Sequence, residues 1–244
     1  MNRIFFSIML IFFFLPPAQA AETGMDSCNI FYHEGQFEAA IDCYRNVTDH
    51  HSAAVYYNMA NSYAQLGQTG YSVLYYQRAL CLSPHDSDIS GNLSLIRKET
   101  GLFSPEPTLS QFVTGLLTTG QWSVLALSGL VLYVIFLFFL LRGKGHGPVE
   151  MVITICSLLI IILGSAGAWI QYLGQDRSVV IEDSGLLLSP FATASTSGTL
   201  KQGRLVRVDK QHEQFSYITD ETGRKGWIAT EKIVPVIPEK ARPQ

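Results

Sequence analysis

Charge is what this sequence has least of. Asp, Glu, Lys and Arg together make up 15% of its 244 residues, against about 25% in a typical soluble protein. The shortage is concentrated in three apolar stretches and thins out elsewhere. Catalytic signatures are missing too. There is no glycine-rich phosphate loop, no Gly-x-Ser-x-Gly and no His-Glu-x-x-His. Paired Cys-x-x-Cys motifs are also lacking, which excludes the usual structural zinc site. His33, His50, His51 and His85 lie in or near one helical segment with no second group of ligands, so no metal and no cofactor is expected. Lys201, Arg204, Arg207 and Lys210 spread through one hairpin among acids, as a solvated face does, and no nucleic-acid site is expected. The chain therefore reads as a non-enzyme. Cysteines number four. Three precede the long apolar runs, and Cys28–Cys43 is the local pairing an oxidising compartment would permit; the same residues also suit apolar packing.

The apolar stretches are of two kinds. Residues 1–20 carry Arg3, an apolar run from Ile4 to Leu15, then Pro16, Pro17 and Ala18-Gln19-Ala20, the layout of a cleavable signal peptide. Residues 122–141 hold no charge, and 149–173 hold only Glu150 at the edge. Each matches the roughly 20 helical residues that cross a bilayer. Trp122 opens the first, and Trp169 and Tyr172 close the second, where interfacial aromatics belong. The loop between them, 142–148, carries Arg142 and Lys144 and is expected to be cytoplasmic. The segments on either side are then exported. Neither span has a central ionisable residue, which argues against transport. Gly164 and Ala168, four apart, predict a face for close helix packing. Residues 105–121 form a linker in which Phe112, Leu116 and Leu117 suit an interfacial helix.

Between residues 21 and 104 the apolar period is helical. Met59, Ser62, Tyr63 and Leu66 recur at spacings of three and four, Gly67 breaks the run, and the pattern resumes from Val73 to Leu80 before Pro84. Gly35, Phe37, Ala40 and Tyr44 precede Gly67, Thr69, Ser72 and Tyr76 by the same offset, and Asn58-Met59 returns as Asn92-Leu93. A helical hairpin repeated every 32 to 34 residues resembles the tetratricopeptide (TPR) family, most closely at Tyr56, Met59, Ala60, Tyr63, Gly67, Tyr76, Ala79 and Pro84. Cys28 and the absent closing proline depart from it in the first repeat. Residues 87–99 look like the capping helix of such arrays, with Ser87 as N-cap and Gly101 as stop. The resemblance implies that Tyr63 and Tyr76 are core. It also implies a protein-binding groove lined by Asn29, Tyr32, His33, Tyr57, Asn61 and Gln65. The lysines that grip a terminal carboxylate are absent, and Met25 stands at one such place.

Residues 176–236 alternate apolar and polar in short runs parted by Gly, Ser, Asp and Thr, which predicts a small all-β barrel or sandwich. Ser189-Pro190, Gly198-Thr199-Leu200, Gly203, Gly223 and Gly226-Trp227-Ile228 resemble the bacterial SH3-like domain. Tyr217 and Trp227 are its candidate recognition residues. Leu187-Leu188 departs from the asparagine-leucine-arginine run of members that bind wall peptides. Residues 237–244 read as a tail.

The expected architecture is a multidomain membrane protein: an all-α TPR array, two transmembrane helices and an all-β SH3-like barrel. In that order the chain resembles the BatE-type family of the bacterial aerotolerance operon. The resemblance implies an inner-membrane scaffold with both modules periplasmic. It implies membrane-anchored von Willebrand A-domain partners and a MoxR-type ATPase nearby. An envelope sensor that binds cell-wall peptide through the SH3-like part is the alternative.

Overall fold

A computed structural model describes residues 22–47, 51–102, 109, 113, 115–141, 148–173 and 176–237. The expected signal peptide, the loop 142–147, the tail from 238 and most of the linker before Gly115 lie outside these residues.

Five short helices come first: α1 (Glu22–His33), α2 (Phe37–Asn46), α3 (Ala53–Gln65), α4 (Thr69–Leu82) and α5 (Ser87–Glu99). The first four make two hairpins. Gly35 and Gly67 sit at the matching corner of each with φ of 77° and 68°, a conformation that costs a residue with a Cβ and not glycine. Ser52 caps α3 by accepting from the Val55 amide at 3.3 Å. The cap of α5 is Asp86 and not Ser87. Its carboxylate accepts from the amides of Asp88 and Ile89 at 3.0 and 3.1 Å and sets a negative charge at the positive end of the helix.

Small residues at Ala40, Ala60, Ser72 and Ala79, each fully buried, bring the helices together over Tyr44, Met59 and Leu74. The tyrosines of residues 56–84 are mainly packing. Tyr63 stacks between Tyr71 and Tyr75 at centroid distances of 5.1 and 5.3 Å, and Arg45 donates to its hydroxyl at 2.6 Å. A Cys28–Cys43 disulfide ties α1 to α2.

The C-terminal part is a seven-stranded antiparallel sheet: β1 (Arg177–Val180), β2 (Ser184–Leu187), β3 (Thr196–Leu200), β4 (Leu205–His212), β5 (Phe215–Asp220), β6 (Lys225–Ala229) and β7 (Ile233–Pro235). Its order is β3-β2-β6-β5-β4-β1-β7. The sheet curls over Leu186, Leu200, Ile218 and Ile228 but stays open, with β3 and β7 as its two edges. The SH3-like barrel expected from the sequence is thus a half-barrel among the described residues. Its β1–β7 end is covered by helix instead of by β3. Val179, Leu205 and Val236 turn outward there and join the helical core.

Helices α6 (Thr119–Leu141) and α7 (Pro148–Leu173) lie between these parts. They are long and apolar enough to cross a membrane. Windows 119–138 and 151–172 have mean hydropathies of 2.0 and 2.4, and only 6% and 17% of them is buried. A core helix of a soluble domain would be mostly covered.

Candidate protein-binding surfaces

Two networks of amides hold the helical hairpins in register. Asn29 Oδ1, on α1, accepts from the Tyr44 hydroxyl of α2 at 2.6 Å and from Asn58 Nδ2 of α3 at 3.2 Å. Asn61 Oδ1, on α3, accepts from the Tyr76 hydroxyl of α4 and from Asn92 Nδ2 of α5, the latter at 3.5 Å. Asn92 also donates to the Tyr57 hydroxyl at 2.8 Å. Burial pushes the Tyr44 phenol up to about 12 and raises Tyr76 in the same way, because the charged form loses its water. Both tyrosines therefore remain donors over the physiological range.

Of the six residues expected to line a groove, Asn29, Tyr57 and Asn61 enter these networks. Tyr32 is half-buried, edge-on to Phe37 at 5.5 Å, while His33 and Gln65 are exposed. Asn58 and Asn92 belong with them. Their repetition at an offset of 34 was the available signal. The networks consume the oxygens of Asn29 and Asn61. Their Nδ2 groups make no hydrogen bond among the described residues, so both present donors. Neither α1 nor α3 carries a Lys or Arg, so this face suits uncharged backbone carbonyls better than a terminal carboxylate.

A second surface lies on the outward face of the sheet. Tyr217 and Trp227 are directly opposed on β5 and β6, with ring centroids 5.2 Å apart and edge to face. Lys210 Nζ sits 4.9 Å from the Tyr217 centroid and 5.3 Å from that of Trp227, within cation–π range. His212 meets the Trp227 ring at 6.3 Å. The alternation of β4 would put Lys210 on the inward face with Val206 and Val208. A bulge between Val208 and Lys210 sends it to the outward face, and no periodicity in the sequence marks that change. Leu187, paired with Trp227 across β2 and β6, lines a cleft of about 410 Å³ together with Phe215, Ala229, Gln214, Thr230 and Glu231.

The helices and the sheet are clasped together at a third place. Arg97 of α5, only 4% exposed, donates to Glu221 at 2.5 Å and to the Gly203 carbonyl at 3.4 Å. Glu221 in turn accepts from the Leu205 amide at 2.7 Å. Arg78 of α4 donates to the carbonyls of Val236 and Pro235 at 2.9 and 3.2 Å. A Cβ on Gly70 would fall 2.5 Å from the Ile181 carbonyl oxygen, so α4 lies directly on the chain after β1. The sequence separates these segments by two apolar helices; the fold packs them into one body. The clasp uses Arg78 of α4 and Arg97 of α5, whereas Asn29, Tyr57 and Asn61 on α1 and α3 are half-buried and bond only to other helices among the described residues.

In the helical pair α6/α7, a Cβ on Gly164 would meet the Ala126 backbone at 2.6 Å, and one on Gly167 would meet the Trp122 ring at 2.4 Å. Gly164 is thus at the contact. Ala168 is partly covered, one position beyond the tighter glycine. Trp122 packs against α7 and is 9% exposed, whereas Trp169 and Tyr172 stay open.

Among the described residues no group of three His, Cys, Asp or Glu side chains is placed to hold a metal. Comparison with protein-family models gives no match, and comparison with curated proteins gives none either.

Proposed function

We propose that this chain is a non-catalytic scaffold of the bacterial inner membrane, binding partner proteins through an exported helical array of TPR type. One observation carries the reading. The amide face of α1 and α3 presents the Asn29 and Asn61 nitrogens as donors, while the sheet is held through other residues, Arg78 of α4 and Arg97 of α5. Stacked helical hairpins give an extended, rigid face, and side-chain amide donors spaced along it suit the carbonyls of an extended peptide backbone. The order of segments supports a BatE-type role, with von Willebrand A-domain membrane proteins as partners and a MoxR-type ATPase in the same system.

The test is an in-cell crosslink of the full-length protein against a Tyr57→Ala, Gln65→Ala double variant. Recovery of von Willebrand A-domain proteins that disappears in the variant is the expected result. Equal recovery from both would remove the groove from the function.

The Lys210–Tyr217–Trp227 platform beside a partly apolar cleft favours a second reading, an SH3-like sensor of cell-wall peptide. Aromatic rings and an exposed ammonium together suit a peptide with a carboxylate. Retention of muropeptides that survives the groove variant and is lost in Trp227→Ala would move the function there.

A further inference from the structure

We infer that the folded body formed by helices and sheet rests on the bilayer through one corner, the turn between α4 and α5, and that this corner recognises the boundary of lipid headgroups and acyl chains. The inference rests on the reading of α6 and α7 as membrane spans.

Two short connections fix the corner there. On the first, His85 Nε2 lies 2.9 Å from the Leu116 carbonyl oxygen, just before α6 begins at Thr119. The next carbonyl, Leu117, accepts from Gln171 Nε2 near the end of α7 at 3.2 Å, and Thr119 Oγ1 lies 3.1 Å from Gln171 Oε1. The entrance of one span, the exit of the other and the α4–α5 turn therefore meet. On the second, Arg177 opens β1 only four residues after Leu173 closes α7, a reach of about 14 Å at full extension. Ser178 pairs with Pro235, whose carbonyl is held by Arg78 in the last turns of α4. The C-terminal half of α4 thus lies beside the start of β1, while Gly70 at its other end lies against Ile181 beyond the end of β1. Helix and strand both point one end at the membrane, about 20 Å separating Gln68 from Leu82 along α4.

The side chains at that end fit the assignment. Leu82 is 49% exposed and Leu116 52%. Leu109 and Val113 are exposed in the same approach to α6. Exposed apolar side chains beside a membrane entrance are covered when lipid is the neighbour. Asp86, Asp88 and His85 ring the same turn and stay at headgroup level. A body held this way presents the α1–α3 face at a fixed height and angle, and partners anchored in the same membrane meet it without search in three dimensions.

Site-specific quenching in proteoliposomes tests this. The full-length protein in a Cys81→Ser, Cys156→Ser background carries an environment-sensitive fluorophore at Leu82→Cys, Gln68→Cys or Leu132→Cys, the last within α6. Lipids bearing a nitroxide near the top of the acyl chain are the quencher. Blue-shifted emission at 82, quenched several-fold more than at 68, is the expected result, with 132 also quenched. A water-like, unquenched probe at 82 alongside a quenched probe at 132 overturns the corner contact and spares the spans. No quenching at 132 overturns both. Leu116→Cys serves as a second position on the same corner if a label at 82 perturbs α4.

Discussion

Asn29 and Asn61 occupy the same place in successive hairpins, 32 residues apart, and make the same bonds. Each side-chain oxygen accepts from a tyrosine hydroxyl of its own hairpin, Tyr44 or Tyr76, and from the asparagine of the next helix, Asn58 or Asn92. One acceptor therefore closes a hairpin and also sets the angle of the following one. That dual use explains why the amide repeats although it lies outside the apolar core.

Removing the acceptor strands a buried donor. The Tyr76 ring is 3% exposed, and leaving its hydroxyl without a partner costs about 1–3 kcal/mol. Asn61→Ala is expected to lower the unfolding temperature of the full-length protein in detergent by several degrees. Asn61→Asp keeps an acceptor for Tyr76 and is expected to recover most of that loss. Equal losses in the two would mean that the network contributes little.

The same tyrosines set an alkaline limit. Burial, reinforced by the neighbouring Tyr32, raises the Tyr44 phenol from 10.0 to about 12. A folded value above the unfolded one gives stability that is complete below about pH 10 and lost as the pH climbs through about 12. Tyr76 shifts in the same direction. Helical circular dichroism followed thermally at several pH values should show this decline, and Tyr44→Phe should make it shallower. At neutral pH that variant is expected to cost about 1 kcal/mol for the lost hydrogen bond.

Arg97 and Glu221 test whether helices and sheet behave as one body. Both side chains are nearly buried, at 5% and 11% exposure, so removing one partner leaves the other charge uncompensated at a cost of about 3–5 kcal/mol. The native protein is expected to unfold in one thermal transition, and Arg97→Ala in two, or with the β4–β6 region newly open to protease. The double change Arg97→Met, Glu221→Leu removes both charges and should keep one transition.

The apolar helix pair α6/α7 makes a sharper demand at Gly167 than at Ala168. A methyl group on Gly167 would sit 2.4 Å from the Trp122 ring, and overpacking of this kind costs about 1–3 kcal/mol. Gly167→Ala should lower thermal stability in detergent, whereas Ala168→Leu, on a partly open position, should change it little. The reverse ranking would mean that the two helices pack in another register.

Local signals made much of the fold legible. The hairpin corners at Gly35 and Gly67, the helical period through Met59 and Tyr63, and the stop at Gly101 all depend on neighbours within a few residues, and the structure has them where the pattern places them. The apolar length of 122–141 and 149–173 is a property of composition alone. Strands β3 and β7 were harder to read, because Thr196–Leu200 and Ile233–Pro235 are short and carry few alternating apolar residues. The binding surfaces were less legible still. Lys210 reads as one of four scattered charges until the bulge after Val208 brings it over Tyr217 and Trp227.

By itself, then, the sequence determined the repeated helical hairpins, the two apolar helices and a β-rich end, since each follows from periodicity, glycine placement or hydropathy over a few turns of chain. Only the tertiary structure decided how these meet. The sheet remains open at β3 and β7, Val179 and Leu205 leave its interior for the helical core, and Arg97 reaches Glu221 across 124 residues. Contacts of that sequence separation depend on shape and on the desolvation of both partners at once, and no local pattern encodes either.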